Sequence, residues 1–279
     1  MTMDVANTPS YAPVPVAFLE DRARPVLGHG RDLVAGARIA PHSHPRGQLL
    51  WAVDGVLRVH AGDSVWIVPP EYAVWIPGGT EHQVMTETPV RARNLYVDPS
   101  IRPRGPGAEC EVLLLSPLLR EIILRLAEGA RPGSARDMAA EAAADPGRAA
   151  RLAAVAVDEI AELVAAPLSL PGGQDPRLRR LTGHLGRAPG DRRALAELAG
   201  IAGASPRTLE RLFRAETGLT FRQWRSRARV LAALEGLRAG RSSTQIAYDL
   251  GYRSPSTFIA AFHGHFGCAP QHFFATRGG

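Results

Sequence analysis

The chain has no lysine, only two cysteines and no long apolar run. All 33 basic residues are arginine, a choice that GC-rich coding favours and that by itself says nothing of function. Cys110 and Cys268 are too few for a disulfide framework and lack zinc-ligand spacing, which suits a reducing cytosol. No stretch approaches the ~18 consecutive apolar residues of a membrane span. The opening stretch, "MTMDVANTPSYAPVPVAF", has no basic segment followed by an apolar one, so no signal peptide is expected. The expected location is cytoplasmic, with no membrane partner.

The 279 residues, 45% of them apolar, suffice for two domains of ordinary size, each with a real core. The net charge of +6 is unevenly spread. Residues 176–279 carry 17 Arg against 6 acidic residues, whereas residues 1–175 carry 16 Arg against 21. Coding bias explains the choice of arginine but not this split. A basic half joined to an acidic half implies that only the C-terminal half meets a polyanion.

Residues 1–25, rich in Pro and Ala without period, read as a flexible arm. Over 26–108, short apolar runs such as "QLLWAV", "VLRVH", "SVWIVPP" and "AVWIP" alternate with Gly, Asp and Pro turns, the rhythm of a sandwich or small barrel. The period changes over 109–166. "CEVLLLSPLLREIILRLAEG" places Leu118, Ile122, Leu126 and Leu119, Ile123 at helical spacing, and "PGRAARLAAVAVDEIAELVAA" repeats the pattern. These helices can pack on each other or on a second copy, so the segment is expected to dimerise the chain. "PLSLPGGQDPRL" (167–178) reads as an interdomain linker, and 179–279 is helical throughout.

"LAELAGIAGASPRTLERLF" (195–213) reads as two short helices around a sharp turn. Helices crossing at about 90–120° need a small residue at the contact, here Ala199, and a turn residue free to take positive φ, here Gly203. Ser205 can cap the second helix, with Pro206 at its first position. Leu209, Leu212 and Phe213 share one face of that helix, and Arg207, Glu210, Arg211 and Arg214 the other. Alone, this is equally an ordinary helical hairpin with a solvated face. The pattern recurs, however, in "IAYDLGYRSPSTFIAAF" (246–262), with Ala247, Gly251, Ser254 and Pro255 in the same relation. Between the two copies lies a helix of some 18 residues, or about 27 Å. Arg222, Arg225 and Arg229 form one of its stripes, and its length suits recognition helices about one duplex turn apart, near 34 Å.

The strings "LAELAGIAGASPRTLERLFRAETGLTFRQWR", "IAYDLGYRSPSTFIAAF" and "FGCAPQHFF" resemble the DNA-binding domain of the AraC/XylS transcription regulators over nearly its whole length. The resemblance implies two helix-turn-helix units binding adjacent major-groove segments of double-stranded DNA. Ser205, Arg207, Thr208, Glu210, Arg211 and Arg214 of the first unit, and Arg253, Ser254, Ser256 and Thr257 of the second, are then the DNA-binding candidates. Two departures stand out. The second recognition helix offers Ser256, Ile259, Ala260 and His263, where family members often carry a basic residue near 260, and the last signature ends Phe273–Phe274 rather than aromatic–Arg.

"PHSHPRGQLLWAVDGVLRV" followed by "VWIPGGTEHQV" resembles the two cupin motifs, the double-sheet barrel that some of these regulators use for effector binding and dimerisation. The resemblance implies an α+β chain: a cupin-like barrel, a helical dimerisation segment and an all-α domain with two helix-turn-helix units. It matches His42, His44, Gln48 and His82 to ligand positions. Three imidazoles and an oxygen suit a divalent metal such as Zn, Ni or Fe, although Gln48 stands where metal-binding cupins usually have Glu and its amide oxygen is a weaker ligand. The same four side chains can instead hydrogen-bond an effector. Trp51 and Trp75, with Trp66 and Tyr72, are candidates to line an apolar effector pocket, or are plain barrel core or a dimer face. The expected function is an effector-controlled transcription regulator, dimeric, without catalysis, that contacts RNA polymerase if it activates. Two other readings remain: a metal-dependent cupin enzyme tethered to DNA, and a constitutive DNA-bending protein.

Overall fold

The computed structural model describes residues 9–15, 19–21, 23–86, 88–128, 146–166 and 168–273. The chain forms two compact units, Met1–Gly62 with Val68–Pro167, and Asp63–Ile67 with Leu168–Gly279. The strands are β1 (Ser10–Tyr11), β2 (Val26–Leu33), β3 (Arg38–His42), β4 (Gly47–Ala52), β5 (Leu57–Ala61), β6 (Ser64–Val68), β7 (Tyr72–Ile76), β8 (His82–Thr86), β9 (Val90–Val97), β10 (Glu111–Leu114), β11 (Ala165–Ala166) and β12 (Ser169–Pro171). They make two six-stranded sheets, in the orders β1-β3-β8-β5-β6-β12 and β11-β10-β7-β4-β9-β2. Strand β1 pairs with β3 in parallel, while β2–β9, β4–β9, β4–β7 and β3–β8 pair antiparallel.

Helices α1 (Pro117–Glu128) and α2 (Pro146–Glu162) cover the outer face of the second sheet. The cover follows from strand alternation. On β4, Leu49 and Trp51 face the helices and join Trp75, Leu95, Leu119, Ile123, Ala156 and Ile160 in one buried cluster, whereas Gln48 and Leu50 face the interior between the sheets. Burial of each fully enclosed Leu or Ile here contributes roughly 1.5–3 kcal/mol. Helix α1 lies against β2 at a glycine: a Cβ on Gly28 would sit 1.9 Å from the Leu126 carbonyl oxygen.

Three expectations are corrected. The arm is not free throughout, because β1 is paired and Leu19 is buried against Leu27 and Tyr96. The guanidinium of Arg46, only 1% exposed, donates to the carbonyls of Leu19 (2.8 Å), Arg24 (3.1 Å) and Asp21. Residues 1–8, 16–18 and 22 of that arm lie outside the described residues. The helical segment does not begin at 109: Val112 and Leu113 are buried in β10, which pairs with β7, and the helix starts only where Ser116 Oγ accepts from the Leu119 N–H (3.0 Å) ahead of Pro117. Within that segment, 129–145 lie outside the described residues. The proposed linker contains β12, which pairs with β6, and the beginning of the next helix. Pro171 terminates that strand and Pro176 opens the helix, so its prolines punctuate structure rather than interrupt it.

In the second unit the helices are α3 (Pro176–Arg187), α4 (Leu195–Ala202), α5 (Pro206–Leu212), α6 (Phe221–Arg238), α7 (Ser243–Asp249) and α8 (Pro255–Phe266), with a π-type turn at Phe213–Thr217 after α5. Trp224 of α6, 1% exposed, packs on Phe213 and donates its indole N–H to the Pro171 carbonyl (2.7 Å). Phe258, Phe262, Phe266 and Phe273 stack at the other end.

The contact at Gly28 is backbone against backbone, so no side chain can move aside. Gly28→Ala is expected to lower the stability of the N-terminal unit by about 1–3 kcal/mol, the usual cost of overpacking, read as a lower melting temperature. An unchanged melt would refute the tight helix-on-strand contact.

Candidate sensor site and nucleic-acid interface

His42 ends β3 directly opposite His82 at the start of β8. His44 follows in the turn, and Gln48 points inward from β4. The imidazole nitrogens of the three histidines lie within 4.8 Å of one another. Ring centroids are 4.3 Å apart for His42–His82 and 5.2 Å for His44–His82. Each ring is oriented the same way. Nδ1 of His42 donates to the Ala40 carbonyl (2.8 Å), Nδ1 of His44 to Arg46 (2.8 Å) and Nδ1 of His82 to Thr80 (2.9 Å). A carbonyl only accepts, so the proton sits on Nδ1 and each Nε2 keeps its lone pair. His82 Nε2 is buried without a partner. His44 Nε2 and Gln48 Oε1 stand 3.0 Å apart, two acceptors face to face unless the amide is turned over. Burial holds the His82 pKa down at about 4, and burial lowers that of His42 as well.

Such a donor set fits a cation: three imidazole lone pairs and an amide oxygen converge in an enclosed site with their outer hydrogen bonds already made. The interior leaves about 20 Å³ for the centre of a water-sized sphere. That is room for an ion or about one water molecule.

Sequence reasoning missed part of this wall. Asn94 and Tyr96 face the interior from β9, Arg31 from β2, and Pro13 and Val14 close it from the arm. The period-two signal was present in "VRARNLYV", where Asn94 and Tyr96 alternate with Leu95 and Val97. Trp51 and Trp75 follow the alternative reading as core: both lie on the opposite face of the sheet, in the cluster beneath α1 and α2, and Trp51 donates its indole N–H to the Pro70 carbonyl (2.7 Å). Trp66 and Tyr72 are likewise absent from the interior wall.

In the C-terminal unit, Ala199 is buried and Gly203 closes α4 with φ 67°. The N–H groups of Gly203 and Ala204 both donate to the Ala199 carbonyl (3.0 and 3.3 Å). This is the sharp turn read from the sequence. Ser205 Oγ accepts from the Thr208 N–H (3.2 Å) and shares a hydrogen bond with the Thr208 hydroxyl (2.9 Å). The second unit repeats the arrangement: Ser254 Oγ accepts from the Thr257 N–H (3.3 Å) and meets the Thr257 hydroxyl (3.0 Å). Gly251 takes φ 77°, where a Cβ would lie 2.6 Å from the Gly190 carbonyl oxygen.

The arginines divide into two sets. Arg229 donates to the carbonyls of Pro189 (3.1 Å) and Asp191 (2.8 Å), Arg225 to that of Arg193 (2.8 Å), and Arg180 to that of Ala202 (2.7 Å). Arg193 and His184 both bond Asp191, whose carboxyl is held well below the usual range, chiefly by Arg193. Arg193, Arg225 and Arg229 brace the loop between α3 and α4, and Arg180 the end of α4. Two of the three stripe arginines of α6 are therefore structural, which the helical spacing alone did not reveal. Arg207, Arg211, Arg214, Arg222 and Arg253 are exposed and bond nothing among the described residues. Glu210 is half-buried between them. On α8 the exposed side chains are Ser256, Thr257, Ile259, Ala260 and His263, while Phe258 and Phe262 are fully buried. Phe273 belongs to the core, and Phe274 lies outside the described residues.

Residues 198–276 match the family model described as a helix-turn-helix domain, and residues 34–144 that of the AraC-like ligand binding domain. Over 234 residues the chain is 35% identical to the HTH-type transcriptional regulator NimR of Escherichia coli K12, covering 84% of this chain and 81% of that protein. A stretch of 116 residues is 34% identical to the HTH-type transcriptional regulator RipA of Corynebacterium glutamicum, covering 41% of this chain and 35% of that protein. Among solved structures, a crystal structure of ToxT from Vibrio cholerae O395 is similar at 10% identity with a TM-score of 0.39, over 91% of this chain and 100% of that one.

Proposed function

The chain belongs to the AraC family of helix-turn-helix transcription regulators, and from that premise we propose how its residues divide the work. It is a DNA-binding regulator with a ligand-binding N-terminal domain. The carrying observation is the set of exposed, unpaired arginines on and around the two recognition helices. Arg207, Arg211 and Arg214 reach the major groove from the first unit, where a guanidinium can pair bidentately with guanine O6 and N7. Glu210 sits among them and accepts from a cytosine amine. The second unit positions: Arg253 and the first turn of α8 hold phosphate, and Ser256 adds one neutral contact. Ser205, Thr208, Ser254 and Thr257 serve chiefly by fixing the two helix starts, since their hydroxyls are engaged in the caps.

In the N-terminal unit, His42, His44, His82 and Gln48 hold a divalent metal such as zinc, nickel or iron. Bound there, the metal would supply a Lewis-acid centre. The orphaned Nε2 of His82 supports this reading. Its role is regulation rather than catalysis, which its match to relatives described as transcriptional regulators supports. Leu114, Leu118, Val155 and Val164 are exposed apolar side chains of this unit, which favours a two-fold dimer through it. No helix among the described residues is long and apolar enough to cross a membrane. The protein acts in the cytoplasm, contacting RNA polymerase where it activates.

Arg211→Ala should weaken binding to the protein's operator by about 1–3 kcal/mol and relax preference at one or two base positions. Ser256→Ala should cost less than about 1 kcal/mol. Binding to a library of singly mutated operators checks both, and specificity losses clustered under the second helix would contradict the assignment. Full-length protein purified without chelator should contain metal by elemental analysis, lost in the His42→Ala/His82→Ala variant. A metal-free protein whose melting temperature does not respond to zinc, nickel or iron would contradict the site.

A further inference from the structure

The two recognition helices share one plan but carry different chemistry on their outer faces. Ser205 and Ser254 cap them, Pro206 and Pro255 open them, and Leu209 and Phe258 are fully buried beneath. Counted from the caps, Arg207, Glu210 and Arg211 of α5 stand where Ser256, Ile259 and Ala260 stand on α8. All three of these α8 side chains are exposed. The isoleucine in the place of Glu210 is the outlier. Phe258 and Phe262 on either side of it are 0% exposed, whereas Ile259 is 36% exposed and lies outside that aromatic core. Among the described residues of this unit, Tyr248 of α7 is the only other large apolar side chain so exposed. Ser256, one turn earlier, and Ala260 beside it are short, so Ile259 is the farthest-reaching exposed side chain of the first two turns of α8.

We propose that Ile259 is a specificity-determining residue and reads the 5-methyl group of a thymine. The major groove displays hydrogen-bonding groups at every base pair but one apolar group, that methyl. An aliphatic side chain pressed against a cytosine amine or a guanine oxygen leaves it desolvated and unpaired, which is costly. Thymine alone offers such a side chain a matching surface. A β-branched residue in a helix is largely fixed at χ1, so Ile259 loses little freedom on contact. The two units then select opposite pyrimidines at matching positions, cytosine under Glu210 and thymine under Ile259. The proposal rests on the reading of α8 as a major-groove helix, and it gives the second unit one direct base contact, weaker than those of the arginines.

The test uses the full-length protein and the tightest duplex it selects from a random-sequence library. Each thymine of that duplex is replaced in turn by deoxyuracil, which lacks only the 5-methyl. One such replacement should weaken binding about three- to fivefold, the scale of burying one methyl group. That penalty should vanish in Ile259→Ala. At the same position the parent should bind 5-methylcytosine more tightly than cytosine, and Ile259→Ala should bind the two alike. Ile259→Glu should move the preference there from thymine to cytosine. A deoxyuracil penalty that persists in Ile259→Ala would overturn the proposal, as would the absence of a penalty at every thymine. In the latter case Arg253→Gln separates two failures. If it weakens binding, the docking of α8 on phosphate stands and the methyl contact alone falls; if it does not, both fall.

Discussion

The two-residue period of the strands is the constraint on which the N-terminal unit depends. A strand buried on both faces must send one set of side chains to the facing sheet and the other to a covering layer. On β4 this puts Gln48 and Leu50 inside, and Leu49 and Trp51 under the helices. The same alternation on β9 sends Asn94 and Tyr96 inward and Leu95 and Val97 outward. The inner face is thereby free to carry nitrogen and oxygen donors, because the outer face supplies the apolar burial. A one-residue slip of β4 would bring Leu49 to the histidines and Gln48 under α1 and α2, removing site and core together.

The C-terminal unit solves a different problem, that of keeping a dense set of like charges in place. Its arginines avoid mutual repulsion by being given separate tasks. Those along α6 and α3 that face the protein neutralise carbonyl oxygens of connecting loops, as Arg229 and Arg225 do around Asp191. Arg207, Arg211, Arg214, Arg222 and Arg253, which face solvent, have no acceptor among the described residues. A phosphate or a base edge can then engage them without first breaking an internal ion pair. The two serine caps point both recognition helices in a defined direction with the same Ser-Pro-X-Thr chemistry.

Much of this was legible before any coordinates. The helix-turn-helix was clear because caps, turn glycines and helix faces each occupy a position with its own chemistry, and Gly203 and Gly251 do take positive φ. The histidine cluster was legible only through the resemblance to the cupin motifs, which matched His42, His44, Gln48 and His82 to ligand positions. The failures have one cause. In "QLLWAV" only Gln48 is polar, so no alternation of polar and apolar residues marks which face is interior, and Trp51 reads equally as interior or as core. In "EVLLLSPLLREIIL" apolar residues run through two elements, and only the Ser116–Pro117 start distinguishes β10 from α1.

The central claim is that five unpaired arginines, Arg207, Arg211, Arg214, Arg222 and Arg253, carry the DNA contact of each protomer. The most direct measurement is operator affinity of the full-length protein against salt concentration. Replacing all five by glutamine should make the log–log slope markedly shallower, since each phosphate they neutralise contributes about −0.9. A slope near zero in the parent, or one that the fivefold replacement leaves unchanged, would contradict it.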